Sequence, residues 1–207
     1  DYAAFVSGRG EGAGDGIRYD LTGVLTEQDA SGAYLRNIDD SANGRYFFNG
    51  RMKLADADAT AYVRVRIASN DGAVALYVSE APKKFTVTGD WTALAKDSTP
   101  TYYCIHHDSS KYGITSANLD RVTNAWLYIE VFEDADCKVP YTGDYYLDDV
   151  AVWWGAKASS TTELGANLLT DGDFQENADK PTYYTDATPY SRLFYAHEAA
   201  VDRKSVV

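Results

Sequence analysis

The chain has 207 residues, 45% hydrophobic and 14% aromatic, which is enough apolar material for one β-domain of generous size. Acidic residues outnumber basic ones by 31 to 19, giving a net charge of -12 and a pI of about 4.6. That charge repels phosphate backbones and anionic lipid heads, so neither nucleic acid nor a membrane surface is an expected partner. No apolar run approaches the roughly 18 residues that cross a bilayer, and Asp1 to Phe5 lacks the basic opening of a signal peptide. A soluble, processed piece of protein is expected, and its 17 Tyr and 4 Trp point to many half-exposed rings.

Ala3 to Gly8 reads as a short apolar strand. Gly10, Gly12, Gly14 and Gly16 then alternate, but no Gly-Lys-Ser/Thr closes the run, so it matches neither a P-loop nor a dinucleotide fingerprint and reads as a flexible turn. Ile17 to Thr22 predicts a second strand leading into a loop. Arg45 to Leu54 alternates cleanly, with Tyr46, Phe48, Gly50, Met52 and Leu54 on one face and Phe47, Asn49, Arg51 and Lys53 on the other. Thr60 to Ala68 repeats the device, turning Val63, Val65 and Ile67 inward and Tyr62, Arg64 and Arg66 outward.

Asn70-Asp71-Gly72 is a turn signal. Ala73 to Val78 and Phe85 to Val87 continue the sheet, and Thr88 to Trp91 turns into Thr92-Ala93-Leu94. Lys96 to Thr123 breaks the rhythm and reads as a long loop. His106-His107-Asp108 lies within it, where adjacent histidines point apart and suit solvent better than zinc.

Asn124 to Asp134 is the most regular strand. Ala125, Leu127, Ile129 and Val131 form one face; Trp126, Tyr128, Glu130 and Phe132 form the other, a surface with rings flanking a carboxylate. Asp144 to Trp153 predicts the last strand of the series, and Asn167 to Gln175 opens a further strand-and-turn unit. Cys104 and Cys137, the only cysteines, either form a disulfide, which would imply an oxidising extracellular setting, or remain two buried thiols. Many short strands with regular turn signals predict an all-β antiparallel β-sandwich of jelly-roll type.

Ser7-Gly8-Arg9, Gly16 to Thr22, Gly89 to Leu94, Leu127 to Glu130 and Tyr145 to Val152 occur in that order across most of residues 3 to 154. Together they resemble the carbohydrate-binding modules attached to xylanases, particularly family twenty-two and the related families four and nine. The resemblance implies a galactose-binding-like jelly roll, no catalysis, secretion, and a sugar-binding cleft on a concave sheet contacted by Arg9, Tyr128 and Glu130. It also implies a tryptophan on the Arg45 to Leu54 strand, where this chain has Arg51 instead.

An outer face carrying Arg9, Arg51, Tyr62, Arg64, Arg66, Trp126, Tyr128 and Glu130 is therefore the expected polysaccharide site, and its arginines favour an acidic or highly hydroxylated glycan. Neither a paired-carboxylate signature nor a Gly-x-Ser-x-Gly elbow marks an enzyme. The resemblance further implies a structural Ca2+ held by Asp148 or Asp149 with Asp173, Gln175 and Glu176; the alternative is that Asp148 and Asp149 bond backbone N-H groups.

The family's opening strand is missing at the head of the chain and present at Asn167 to Gln175. Residues 1–156 thus form the main module and residues 157–166 a linker. Residues 167–207 either complete that module, in the same or a neighbouring copy, or begin a second one. Self-association through residues 167–207 would make the chain a structural repeat of an extracellular fibre or scaffold.

Overall fold

The computed structural model describes residues 2–36, 45–68, 84–94, 103–105, 122–155, 166–169, 174, 192–196 and 200–205. Among these residues, eleven strands and one short helix follow in chain order: β1 Tyr2–Ser7, β2 Gly16–Asp20, α1 Thr22–Leu25, β3 Arg45–Leu54, β4 Ala61–Ala68, β5 Lys84–Val87, β6 Thr92–Ala93, β7 Tyr103–Ile105, β8 Trp126–Phe132, β9 Tyr145–Gly155, β10 Arg192–Ala196 and β11 Ala200–Ser205. They form two sheets with antiparallel pairing throughout. One sheet has the order β11-β1-β9-β3-β6 with β7 also on β3; the other has the order β10-β2-β8-β4-β5. Apart from β4–β5 and β6–β7, consecutive strands cross from one sheet to the other, which makes a jelly-roll sandwich.

The alternating pattern of each strand supplies the filling between the sheets. Ile17 and Tyr19 of β2, Val63, Val65 and Ile67 of β4, and Leu127, Ile129 and Val131 of β8 face Phe48, Met52 and Leu54 of β3 and Leu147 and Val152 of β9 in one core. Each such side chain, fully withdrawn from water, contributes about 1.5–3 kcal/mol. Phe47 is also fully buried although it lies on the other face of β3.

β9 does not keep one parity. Arg51 pairs with Asp148 but Asn49 pairs with Ala151, so three steps along β9 match two along β3. This is a β-bulge, and Asp149 takes a φ of 52° within it. Tyr145 and Leu147 point inward before the bulge, Val150 and Val152 after it.

Three features differ from the sequence expectation. Thr22–Leu25 is a turn of helix rather than loop, begun where the Asp20 carboxylate accepts hydrogen bonds from the Thr22 N-H and hydroxyl at 2.8 and 2.5 Å. Tyr103–Ile105, read as part of a long loop, pairs with Tyr46 to Phe48. The glycine run is a fastened loop: buried Asp15 accepts the Gly12 N-H at 2.9 Å, and the Ala13 carbonyl accepts the Val131 N-H at 2.9 Å. The Asn70-Asp71-Gly72 turn, Ala73 to Val78, His106-His107-Asp108 and the 157–165 segment lie outside the described residues.

The end of the chain packs on the same sandwich. β10 pairs with β2, and β11 with β1. Asn167 Oδ1 accepts the Val152 N-H at 2.9 Å, the Leu168 N-H donates to the Val152 carbonyl at 2.7 Å, and Leu169 and Phe174 are buried in the core.

Candidate functional site

The outward face of β2, β8 and β4 is set by register. Arg18 stands opposite Tyr128, which stands opposite Arg66; Glu130 stands opposite Arg64, and Phe132 opposite Tyr62. Glu130 is 5% exposed and is held by both arginines of β4, Arg64 Nε donating at 2.7 Å and Arg66 Nε at 2.9 Å. Each guanidinium of this face also lies on a ring. Arg18 sits 4.1 Å from the centroid of Trp126, Arg66 4.9 Å from Tyr128 and Arg64 4.9 Å from Phe132.

This corrects the expected arrangement of open rings beside an open carboxylate. Trp126 is only 8% exposed. Cation-π attraction and the charge of Glu130 draw the neighbouring arginines across the rings, so the outermost layer is guanidinium and the rings lie beneath it. The half-buried Tyr128 and Tyr62 complete the face. Arg18, Arg64 and Arg66 outnumber Glu130 and Asp20 on these strands, which makes a locally positive patch on a chain of net charge -12.

The glycine loop walls one side of the patch. A Cβ on Gly14 would stand 3.4 Å from Tyr128 Cδ1 and 3.7 Å from Glu130 Cγ, so the backbone lies directly against both side chains.

Two expected members are elsewhere. Arg9 is turned into the loops, its Nε donating to the Asp15 carbonyl at 2.7 Å, its Nη2 to Ala13 at 3.2 Å and its Nη1 to Tyr141 and Gly143. With its guanidinium 5.1 Å from the Tyr145 ring, it ties the glycine loop to the 141–143 turn. Arg51 belongs to the other sheet, where it reaches Asp148 at 2.6 Å and Asp149 at 2.8 Å and lies 5.0 Å from Trp91. Alternation gives the two faces of a strand but not the sheet that receives it, so it cannot separate Arg51 from the residues beside β8.

Arg18 and Phe132 belong to the patch but were not among the expected ligand residues. The signal for Arg18 was in the sequence, since it falls between the inward Ile17 and Tyr19.

The described part of the calcium donor set does not fit a cation. The bulge lets Asp148 and Asp149 turn to the same guanidinium, so Arg51 already answers both carboxylates. Burial raises the pKa of Asp148, and the hydrogen bond from Arg51 opposes it. Asp173, Gln175 and Glu176 lie outside the described residues, and no group of three or more His, Cys, Asp or Glu side chains converges among the described ones. The Cys104–Cys137 pairing also lies outside them, because the side chain of Cys104 is not described. No helix among the described residues is long and apolar enough to cross a membrane.

Fold and site together define an all-β jelly-roll sandwich that presents a guanidinium-over-ring face on its five-stranded sheet. No protein-family model matches the chain, and no curated protein matches it. Among the solved structures similar to it are the following three. One is the carbohydrate-binding module of PbXyn10C in its apo form, at 15% identity over 98% of this chain and 87% of that one, with a TM-score of 0.45. Another is the CBM22-1 xylan-binding domain of Xyn10C from Paenibacillus barcinonensis, at 15% identity over 75% and 74%, with a TM-score of 0.43. The third contains the CBM22-1 and GH10 modules of Clostridium thermocellum endo-1,4-beta-D-xylanase 10B complexed with xylohexaose, at 16% identity over 87% of this chain and 25% of that one, with a TM-score of 0.37. At these values the likeness decides nothing about ligand or residue roles.

Proposed function

We propose that the chain is a non-catalytic, extracellular carbohydrate-binding module of the xylanase-associated kind its motifs resemble, and that it holds a polysaccharide against the outer face of β2, β8 and β4. The observation that supports this most is the shared use of Glu130. Arg64 and Arg66 each spend Nε on it, which fixes both guanidiniums and leaves their terminal nitrogens as oriented donors. Oriented donors lose little side-chain entropy when a ligand arrives. Guanidinium forks match carboxylates bidentately and also bond hydroxyl oxygens, so a uronate-bearing chain suits the patch better than a neutral one. Both oxygens of Glu130 are engaged by guanidinium, so its role is to orient the arginines rather than to transfer a proton.

Isothermal titration against xylan, mixed-linkage glucan, pectin and alginate tests the reading. Saturable heat is expected with pectin or alginate and should shrink as salt is added. Folded protein that gives no heat with any of the four would contradict it.

A second reading is favoured by the edge positions of β10 and β11. The same pairings made between copies would join chains into a fibre or scaffold. Sedimentation of the intact chain across a concentration series distinguishes the two, since a growing polymer supports exchange and a constant monomer opposes it.

A further inference from the structure

We propose a second saccharide site, for one or two neutral sugar units, in the cleft at the end of the sandwich where β9 finishes and β3 begins. It takes only the class of ligand from the reading above. The cleft encloses about 410 Å3 and is lined by Glu27, Leu35, Arg36, Trp154, Asn167 and Leu168 among others. That volume lies within the range of small-molecule pockets, about 300–1,000 Å3.

The walls follow from the chain. After the bulge Trp154 shares the inward parity of Val150 and Val152, but it lies one residue from the end of β9, where the strand runs out. Its ring is half-buried and meets Tyr46 edge-on at 4.8 Å and 66°. Across the cleft, the segment after α1 folds back through the Gln28–Tyr34 bridge. Arg36 Nη1 then donates to the Val24 carbonyl and to Glu27 Oε2, both at 2.7 Å. Leu35, 49% exposed, and Leu168 supply apolar surface. Asn167 is committed to the backbone of β9 and Leu169, which makes it a rigid wall.

A pyranose has an apolar C-H face for an indole and hydroxyls that both donate and accept. This cleft offers one ring and one fixed donor-acceptor pair. The Arg36–Glu27 pair, with side chains 11% and 27% exposed, cancels its own charge, so the cleft suits a neutral sugar, unlike the positive sheet face. Beside it, the buried Arg36 Nε and Tyr46 Oη have no hydrogen-bond partner among the described residues. Both are withdrawn from the cleft's surface, so recognition of hydroxyls falls to the Arg36–Glu27 pair.

The test follows the indole N-H resonances of the four tryptophans in the intact 15N-labelled chain, with Trp154 and Trp126 assigned by W154F and W126F. The probes are cellotetraose and xylotetraose as neutral sugars and oligogalacturonate as the acidic one. The Trp154 resonance should move saturably with a neutral probe. Glu27→Gln should weaken that response about tenfold or more while the other indole resonances keep their positions. A Trp154 resonance unmoved by either neutral probe, or a response unchanged by Glu27→Gln, overturns the proposal. The Trp126 resonance separates the two sites: if it responds to oligogalacturonate and Trp154 to nothing, the cleft fails and the sheet face stands. A response at Trp154 alone upholds the cleft and counts against the sheet face.

Discussion

Glu130 is a carboxylate withdrawn from water, and it is tolerated because two guanidiniums satisfy both its oxygens. Removing it would leave Arg64 and Arg66 facing each other without an anion. Glu130→Ala should therefore cost about 1–3 kcal/mol, readable as a lower denaturation midpoint in urea. Gly16 is constrained in a different way. Its φ is +134°, and a Cβ there would stand 2.4 Å from Tyr145 Oη in the fully buried core. Gly16→Ala should destabilise by about 2 kcal/mol or more, and an unchanged melting temperature would argue against this packing. At Asp148, burial raises the folded-state pKa, so protonation favours the fold and ionisation opposes it as pH rises through the carboxylate range. The melting temperature of Asp148→Asn relative to the parent chain should therefore increase from pH 3 to pH 7; a decrease would show that the ion pair with Arg51 outweighs burial.

At the scale of the element, the period-two pattern made β3, β4 and β8 legible, and β3 has the same bounds in the structure as in the sequence reading. Periodicity is a property of one strand, and what it leaves out is set between strands. The position of Arg64 and Arg66 over Glu130 depends on a register joining residues 64 to 66 apart. The bulge in β9 reverses inward parity between Leu147 and Val150, which alternation along one chain cannot signal. β7, with three residues, and α1, with four, are too short to carry a period. Arg9 was expected to touch ligand, but an arginine surrounded by four carbonyl oxygens is a clasp. Arg9→Lys cannot reproduce the fork and should lower stability by about 2 kcal/mol, with faster amide exchange in residues 10–16. Because Arg51 answers Asp148 and Asp149, EGTA should leave the melting temperature of the intact chain unchanged. A drop reversed by calcium would mean that residues 173–176 complete a cation site.

At the scale of the molecule, the described residues present two outer sheet faces and an end cleft, and the sequence merged the two faces because strand order within sheets was hidden. Arg51, Lys53, Trp91 and Tyr146 line one face; Arg18, Arg64, Arg66 and their rings line the other. The edge positions of β10 and β11 bring residues 192–196 and 200–205 into the two sheets. On an acidic chain, a positive face is where a polyanionic glycan would be concentrated. Titration of polygalacturonate into the parent chain and into Arg66→Gln, which leaves Arg64 on Glu130, tests that claim most directly. Saturable binding that weakens about tenfold or more in the folded variant is predicted; equal affinity in both proteins, or no binding to either, would contradict it.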